Sequence, residues 1–421
     1  MEMKKYKLGE IAKIYNGSTP STSDNLNYDG EIVWATPKDL SDQNSKYFSQ
    51  GARNITQMGF DSCSTQMIPA NNILMSSRAP IGLFAINTVA CCTNQGFKNI
   101  VLDKSISDVD YMYYYLKYHV KEIEALGSGT TFKEVSKTAF EKYEISIPSL
   151  SVQQKIAAIL SSLDDKIALN KKINAKLEAM AKRLYDYWFV QFDYPDKNGK
   201  PYKTSGGKMV WNEVLKRKIP DGWEVKSINE VCDVIDCLHS KKPDFCYEDE
   251  DSYLLSLENI TKEGYIDISE KYYISKKDFS EWTSRICVKE NDFLFTNAGR
   301  AGDMGMIPNG IKCAIGRNIT AVRSKKINPY YLRCFFKSLY MKEQILNNLD
   351  KGCFFMSFNV RSIKQLSILI PKEENFHKFI SFCEPIIKQL NKNNSEIQKL
   401  TNLRDRLLPL LMNGQVEVEN I

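Results

Sequence analysis

Self-similarity at a fixed offset constrains this chain more than any single motif, because a duplicated segment folds into two versions of one architecture. Leu8, Glu10, Ile11 and Ile14 recur as Ile228, Glu230, Val231 and Val234, about 220 positions further on. In the same register, residues 33–40 (VWATPKDL) align with 253–260 (YLLSLENI), 68–77 (IPANNILMSS) with 288–297 (VKENDFLFTN), and 111–116 with 331–336. The register then slips by three residues. Gly129 meets Gly352, and the strand-like Ile145, Ile147 and Pro148 meet Ile368, Ile370 and Pro371. Each copy reads as short strands and turns rich in Gly, Asn, Ser and aromatics, then one extended helix after the proline.

The helices carry heptads. Counting from Ile156, the a positions are Ile156, Leu163, Asn170, Leu177 and Leu184, and the d positions Leu160, Ile167, Asn174, Ala181 and Trp188. From Phe379, the a positions are Phe379, Ile386, Asn393, Leu400 and Leu407, and the d positions Cys383, Leu390, Ile397, Arg404 and Leu411. An arm from Gln153 to Phe189 is about 55 Å long, more than a small domain covers, so its apolar stripe needs a partner. The two arms supply one another. With antiparallel arms and aligned midpoints, Asn174 faces Asn393 and Leu177 faces Leu390, and the buried amides penalise slipped registers. The expected fold is therefore α+β: two tandem β-rich lobes, each followed by a long helix, the helices pairing as an antiparallel coiled coil with pseudo-twofold symmetry. The expected divisions are 1–150, 151–190, 191–222, 223–372 and 373–421. The third of these, rich in Gly, Pro and Lys, reads as a basic, turn-rich connector.

Composition narrows the function. With 421 residues, 43% hydrophobic and 26% charged, the chain is neither a mini-protein nor disordered. Its start, Met1 to Lys7, has no apolar signal segment, no run of eighteen apolar residues occurs, and eleven cysteines lack a C-x-x-C pair, all of which points to the cytoplasm. The net charge of +6 is mild. It is concentrated in the middle: residues 151–222 hold 14 basic against 8 acidic groups, while 1–150 hold 15 against 16 and 223–421 hold 28 against 27.

Catalytic sets are hard to assemble. His119, His239 and His377 sit in neither H-E-x-x-H nor G-x-S-x-G. Cys232, Cys237, His239 and Cys246 have no common zinc spacing, so no metal site is expected. Asn328-Pro329-Tyr330-Tyr331 has one proline too few for an amino-methyltransferase loop and reads better as a helix start. Pro195, Asp196, Glu224 and Lys226 lack the scaffold of a nuclease core, and Gly299, Gly302 and Gly305 lack the Lys-Ser/Thr of a P-loop. Two similar lobes on a paired-helix rod suit the positioning of two recognition surfaces, such as duplex DNA segments about one turn apart.

The motif order resembles the specificity (S) subunits of type I restriction-modification systems. The resemblance runs from Tyr6 to Val418. It rests on Arg78-Ala79-Pro80-Ile81-Gly82, the Gly129-Thr130-Thr131-Phe132 turn, Ile147-Pro148 followed by Gln153, Gln154, Lys155, Ile156, Ala157 and Leu160, residues 192–195, 199–203 and 206–213, IPDGW at 219–223, and LPLLMNGQV at 408–416. The second copy departs from it, with Phe376 and Phe379 for Gln153 and Ile156, and Gly352-Cys-Phe-Phe for Gly129-Thr-Thr-Phe.

The resemblance implies two target recognition domains reading an asymmetric bipartite site in double-stranded DNA. It also implies two methyltransferase (modification) subunits and restriction/translocase subunits as partners, S-adenosylmethionine, ATP and Mg on those partners, and no cofactor, catalysis or membrane contact in this chain. Turn position and side-chain chemistry nominate Lys38, Ser77, Arg78, Asn94, Gln95, Lys98, Thr130 and Lys133 in the first lobe as DNA contacts. In the second they nominate Lys241, Lys242, Asn259, Asn297, Arg300, Arg317, Asn318 and Asn359. The rival readings are a duplicated coiled-coil adaptor binding two protein partners without DNA, and a catalytic methyltransferase or nuclease subunit.

Overall fold

The computed structural model describes residues 2–43, 45–129, 133–351 and 356–416. The chain divides into two units, Met1–Asp165 with Thr401–Ile421, and Lys166–Leu400. The helices Leu150–Tyr185 and Glu373–Met412, the first and second arms, each contribute to both.

In the first unit, strand Lys4–Lys7 pairs antiparallel with Glu144–Ile147, which closes the lobe where its chain enters and leaves. The main sheet has five strands in the order Ala12–Asn16, Phe97–Leu102, Ile73–Ser76, Phe84–Asn87 and Tyr47–Phe48. A short parallel pair joins Trp34–Ala35 to Cys92–Thr93. Helix Val109–Tyr118 starts where the Asp108 carboxylate accepts the Tyr111 N–H at 2.9 Å, an N-cap that satisfies an otherwise orphan donor.

Gln153 explains the start of the first arm. Fully buried, it accepts the Asp108 N–H at 2.9 Å and donates to the carbonyls of Ile106 and Pro148, so one amide ties the arm to the lobe. Ile156 and Leu160 then enter the same core as Ile11, Ile100, Met112 and Ile145, together with Leu411 and Met412 of the second arm. Asp164 of the first arm accepts Arg404 of the second at 2.7 Å.

The second unit repeats the plan. Strand Glu224–Ser227 pairs antiparallel with Ser367–Ile370. Its main sheet runs Cys232–Asp236, Ile319–Ser324, Phe293–Thr296 and Met304–Met306, the order of the first unit without the parallel edge strand. Tyr253–Leu255 pairs parallel with Ala314–Ile315, as Trp34–Ala35 does with Cys92–Thr93. Phe376 stands where the first copy has Gln153, and it packs on Tyr331 at 5.3 Å between ring centroids, replacing the amide clip with an aromatic one.

The arms pair antiparallel in this unit as well. Asn170 donates to Glu396, and further along Asn174 bonds with Asn393 and Asn394, so numbering rises on one helix as it falls on the other. Ile156, Leu160, Ile167, Asn170, Asn174, Phe379, Leu390 and Asn393 are buried, while Leu163, Leu177, Leu184, Ile386, Ile397, Leu400 and Leu407 are half-buried. Near its start the second arm departs from the heptad. Ile387 is fully buried and Ile386 is not, because Phe379, Ile380, Cys383 and Ile387 point into the core of the lobe.

Residues 191–222, expected as a connector, are folded. Phe189 packs on Phe379 and Tyr331 with centroids 4.7 and 5.0 Å apart, and Trp223 stacks on Tyr194 at 5.1 Å, which in turn stacks on Tyr202 at 4.8 Å. The hairpin Met209–Asn212 with Arg217–Pro220 follows, and the Asp193 carboxylate holds the turn through the Thr204 N–H and hydroxyl at 2.8 and 2.7 Å.

Candidate nucleic-acid interface

The nominated residues of the first unit separate into exposed and committed groups. Lys38, on helix Pro37–Gln43, Gln95 and Lys133 are exposed. Thr130 lies outside the described residues. Gly17 lets the preceding loop lie against the turn that carries Gln95, since a Cβ there would stand 2.0 Å from the Asn94 carbonyl. Thr19 then donates its hydroxyl to Gln95, and Asn94 accepts the Gly96 N–H at 2.9 Å, a turn-stabilising role.

Arg78 and Lys98 converge on a residue not nominated, Glu134. Arg78 Nε donates to it at 2.9 Å and Lys98 Nζ at 3.1 Å, and Lys98 also reaches the buried Ser77 hydroxyl at 3.3 Å. Burial alone would raise the Glu134 pKa, but the Lys98 and Arg78 charges outweigh it and hold the carboxyl below its usual value. The buried Lys98 ammonium and Ser77 are therefore committed to the fold, and half-exposed Arg78 is partly neutralised.

In the second unit Lys241, Lys242, Arg317 and Asn318 are exposed. Asn318 has a positive φ of 63°, a backbone state that Asn tolerates better than most residues. Lys242 Nζ stands 3.6 Å from the Tyr272 ring centroid; Phe245, 62% exposed, packs on the same ring at 5.8 Å, and Tyr247, 58% exposed, packs on the adjacent Tyr273 at 4.8 Å. Such a lysine and aromatic surface can stack on bases or hold phosphate. The residue string Lys241-Lys242-Pro243-Asp244-Phe245 carried this signal, but only its lysines were selected.

Asn259 is buried and clips backbone, donating to the carbonyls of Asp267 and Glu270 and accepting the Ser256 N–H. Arg300 donates to the carbonyls of Leu257 and Ile260 at 2.7 and 2.6 Å. Asn297 accepts the Thr320 hydroxyl at 2.9 Å, and Asn359 caps helix Val360–Gln365 by accepting the Ser362 N–H.

The sets weighed for chemistry dissolve into structural roles. Asn328 caps helix Pro329–Phe336 by accepting the Tyr330 N–H. Asp196 accepts turn N–H groups from Asn198 and Lys200, and Glu224 pairs with Lys226 at 2.9 Å. Asp236, Cys237 and His239 bring three donor atoms within 4.8 Å of one another, with His239 and Asp236 already paired at 2.8 Å. Among the described residues, Cys232 and Cys246 do not join that group. No helix among the described residues is long and apolar enough to cross a membrane.

A second carboxylate, also missed, organises the arm in the second unit. Glu178 takes hydrogen bonds from Arg333, from Lys337 at 2.9 Å and from the Tyr265 hydroxyl at 2.6 Å. Burial would raise its pKa, but the two cations and their hydrogen bonds prevail and bring it down to about 2.

Comparison with known proteins agrees with this duplicated, recognition-type architecture. The family model described as the type I restriction modification DNA specificity domain matches residues 1–179 and 220–402. The type I restriction enzyme MjaIX specificity subunit of Methanocaldococcus jannaschii is 30% identical over 422 residues, covering 99% of this chain and 94% of its own. The HindI specificity subunit of Haemophilus influenzae is 23% identical over 71% of this chain and 74% of its own. The crystal structure of a type I restriction-modification S subunit from M. genitalium shares the fold, with a TM-score of 0.62 at 15% identity over 98% of this chain and 96% of that one. These matches lend no support to the adaptor reading or to catalysis in this chain. Two family matches laid over two lobes of the same strand order show that the chain belongs to the type I restriction modification DNA specificity family, whose part in the restriction enzyme is recognition.

Proposed function

We propose that this chain reads an asymmetric bipartite sequence in duplex DNA, one half-site per lobe, and brings modification and restriction subunits to it. The observation that carries this reading is one strand order built twice with different exposed side chains. Lys38, Gln95 and Lys133 stand out in one lobe; Lys241, Lys242, Arg317 and Asn318 do so in the other. Non-identical readers call for non-identical half-sites. The recognition lobes are assigned to 1–150 and 223–372, the arms to 151–190 and 373–421, and 191–222 is an accessory to the second lobe. S-adenosylmethionine, ATP and Mg belong to the partner subunits, and the assembly works in the cytoplasm.

The modification subunits are proposed to dock partly on the arms. An open groove of about 820 Å³, lined by Met180, Leu184, Tyr187, Phe382 and Ile386, leaves Met180 and Phe382 more than half exposed. Exposed apolar surface of this kind suits an added amphipathic helix.

The test is to map methylated adenines in DNA from cells expressing this chain with its modification subunit. A two-part motif with unlike halves is expected. A palindromic motif, or methylation without sequence preference, would refute the reading.

A further inference from the structure

Two free, buried cysteines meet in the second unit. Cys334 lies on helix Pro329–Phe336 and Cys383 on the second arm, 49 positions apart in sequence, with their Sγ atoms 3.2 Å from one another. Cys383 also points at the Tyr330 carbonyl at 3.8 Å, so its side chain is aimed at that helix. Contact with the Cys334 sulfur, together with burial, pushes the Cys383 thiol above its usual pKa. Cys334 also lines a cavity of about 200 Å³, with Glu178, Lys182, Tyr185, Arg333 and Ser338. Cys334 is 6% exposed and borders the cavity, whereas Cys383 is fully buried and does not, an asymmetry that suits an attacking and a resolving thiol.

We propose that Cys334 and Cys383 are a modification site at which a small disulfide compound oxidises the pair to an intramolecular disulfide, fastening the second lobe covalently to the second arm. Cys334 attacks one sulfur of the reagent, forming a mixed disulfide and releasing one thiol. Cys383 then attacks Cys334 Sγ and releases the second. Two protein thiols and one reagent disulfide become one protein disulfide and two reagent thiols, which carry away both protons. The sulfurs have to approach from 3.2 Å to a bond of about 2 Å.

The experiment treats the full chain with oxidised glutathione under native conditions, blocks remaining thiols, and maps peptides without reduction. The expected product is a peptide joining Cys334 to Cys383, lost on dithiothreitol treatment and absent in Cys334→Ser and in Cys383→Ser. Oxidation should raise the thermal midpoint of the wild type by about 5 °C, reversibly, and leave both serine variants unmoved. Circular dichroism of both serine variants checks that they fold. The proposal is overturned if both cysteines are recovered alkylated after oxidation, or if Cys334 stays as a mixed disulfide. It is also overturned if the cross-link appears without a rise in midpoint, which would mean that it forms only in unfolded chains.

Discussion

Asn393 donates from Nδ2 to Oδ1 of Asn174 at 2.8 Å, the buried link in a chain of amides across the paired arms. Gln389 donates to Asn393, and Asn174 passes its own N–H on to Asn394 at 2.7 Å. Asn174→Ala leaves an amide donor of Asn393 and a carbonyl of Asn394 without partners, so stability falls by about 1–3 kcal/mol in urea unfolding. Replacing Asn174 and Asn393 together by Ala removes both polar groups, and the pair loses less than the sum of the two single Ala changes. Additive losses in the double-mutant cycle would show that the amides do not act together.

Arg333 is only 2% exposed, and Glu178 is its counter-ion. With a folded pKa of about 2, against about 4.3 in an unfolded chain, Glu178 binds its proton more readily when unfolded. Its stabilising contribution, about 3 kcal/mol, is therefore complete above about pH 5 and drains away as the pH falls toward 2. Glu178→Gln should cost about 3–5 kcal/mol at pH 7, because the Arg333 charge stays buried without a partner. It should also flatten the loss of stability between pH 5 and 3. Tryptophan fluorescence reads this well, since Trp188, Trp211, Trp223 and Trp282 all belong to the second unit. An unchanged acid slope in the Gln variant would assign the slope to other carboxylates.

The heptads and the 220-residue offset were legible because both depend on spacing within one stretch of chain. Asn174 opposite Asn393, and the strands before Pro148 and Pro371, follow from counting alone. Partners set by the tertiary fold were not legible. Glu134 lies 36 positions from Lys98, and nothing local marks it as the group that neutralises that lysine. The stretch 191–222 was masked by its Gly, Pro and Lys content, which signals turns, while the features that fold it are the aromatics Phe192, Tyr194, Tyr202 and Trp223 spread between them. Ile387 displaced Ile386 from the seam because two neighbours compete for that helix, and a heptad count sees only one.

Exposed and buried lysines should behave differently toward DNA. Arg317→Ala or Lys241→Ala removes a cation that stands in solvent, and each is expected to lower the salt slope of specific binding by about 1 while leaving the unfolding midpoint in place. Lys98→Ala strips a buried ion pair and should instead lower stability, with DNA affinity falling only as the folded fraction does. Fluorescence anisotropy over a salt series, beside a melt of each variant, separates the two. Equal salt slopes for wild type and Arg317→Ala would remove that residue from the interface.

Phe382 is 58% exposed on the second arm and faces Met180, 54% exposed, across the open groove. Because both side chains stand mostly in solvent, with Phe382 touching the core only edge-on at Trp188, Phe382→Asp and Met180→Asp should leave the free chain within about 1 kcal/mol of wild type. Placed in a docked helix interface, however, a carboxylate loses its water without gaining a partner, a cost of several kcal/mol. Co-purification with the modification subunit should therefore weaken by 100-fold or more, about 2.7 kcal/mol, in either variant. Lys172→Asp, at an exposed position of the first arm outside the groove lining, changes charge by a larger amount and serves as the control for long-range electrostatics. If the control weakens association as much as Phe382→Asp does, the contact is electrostatic and the groove is not its seat.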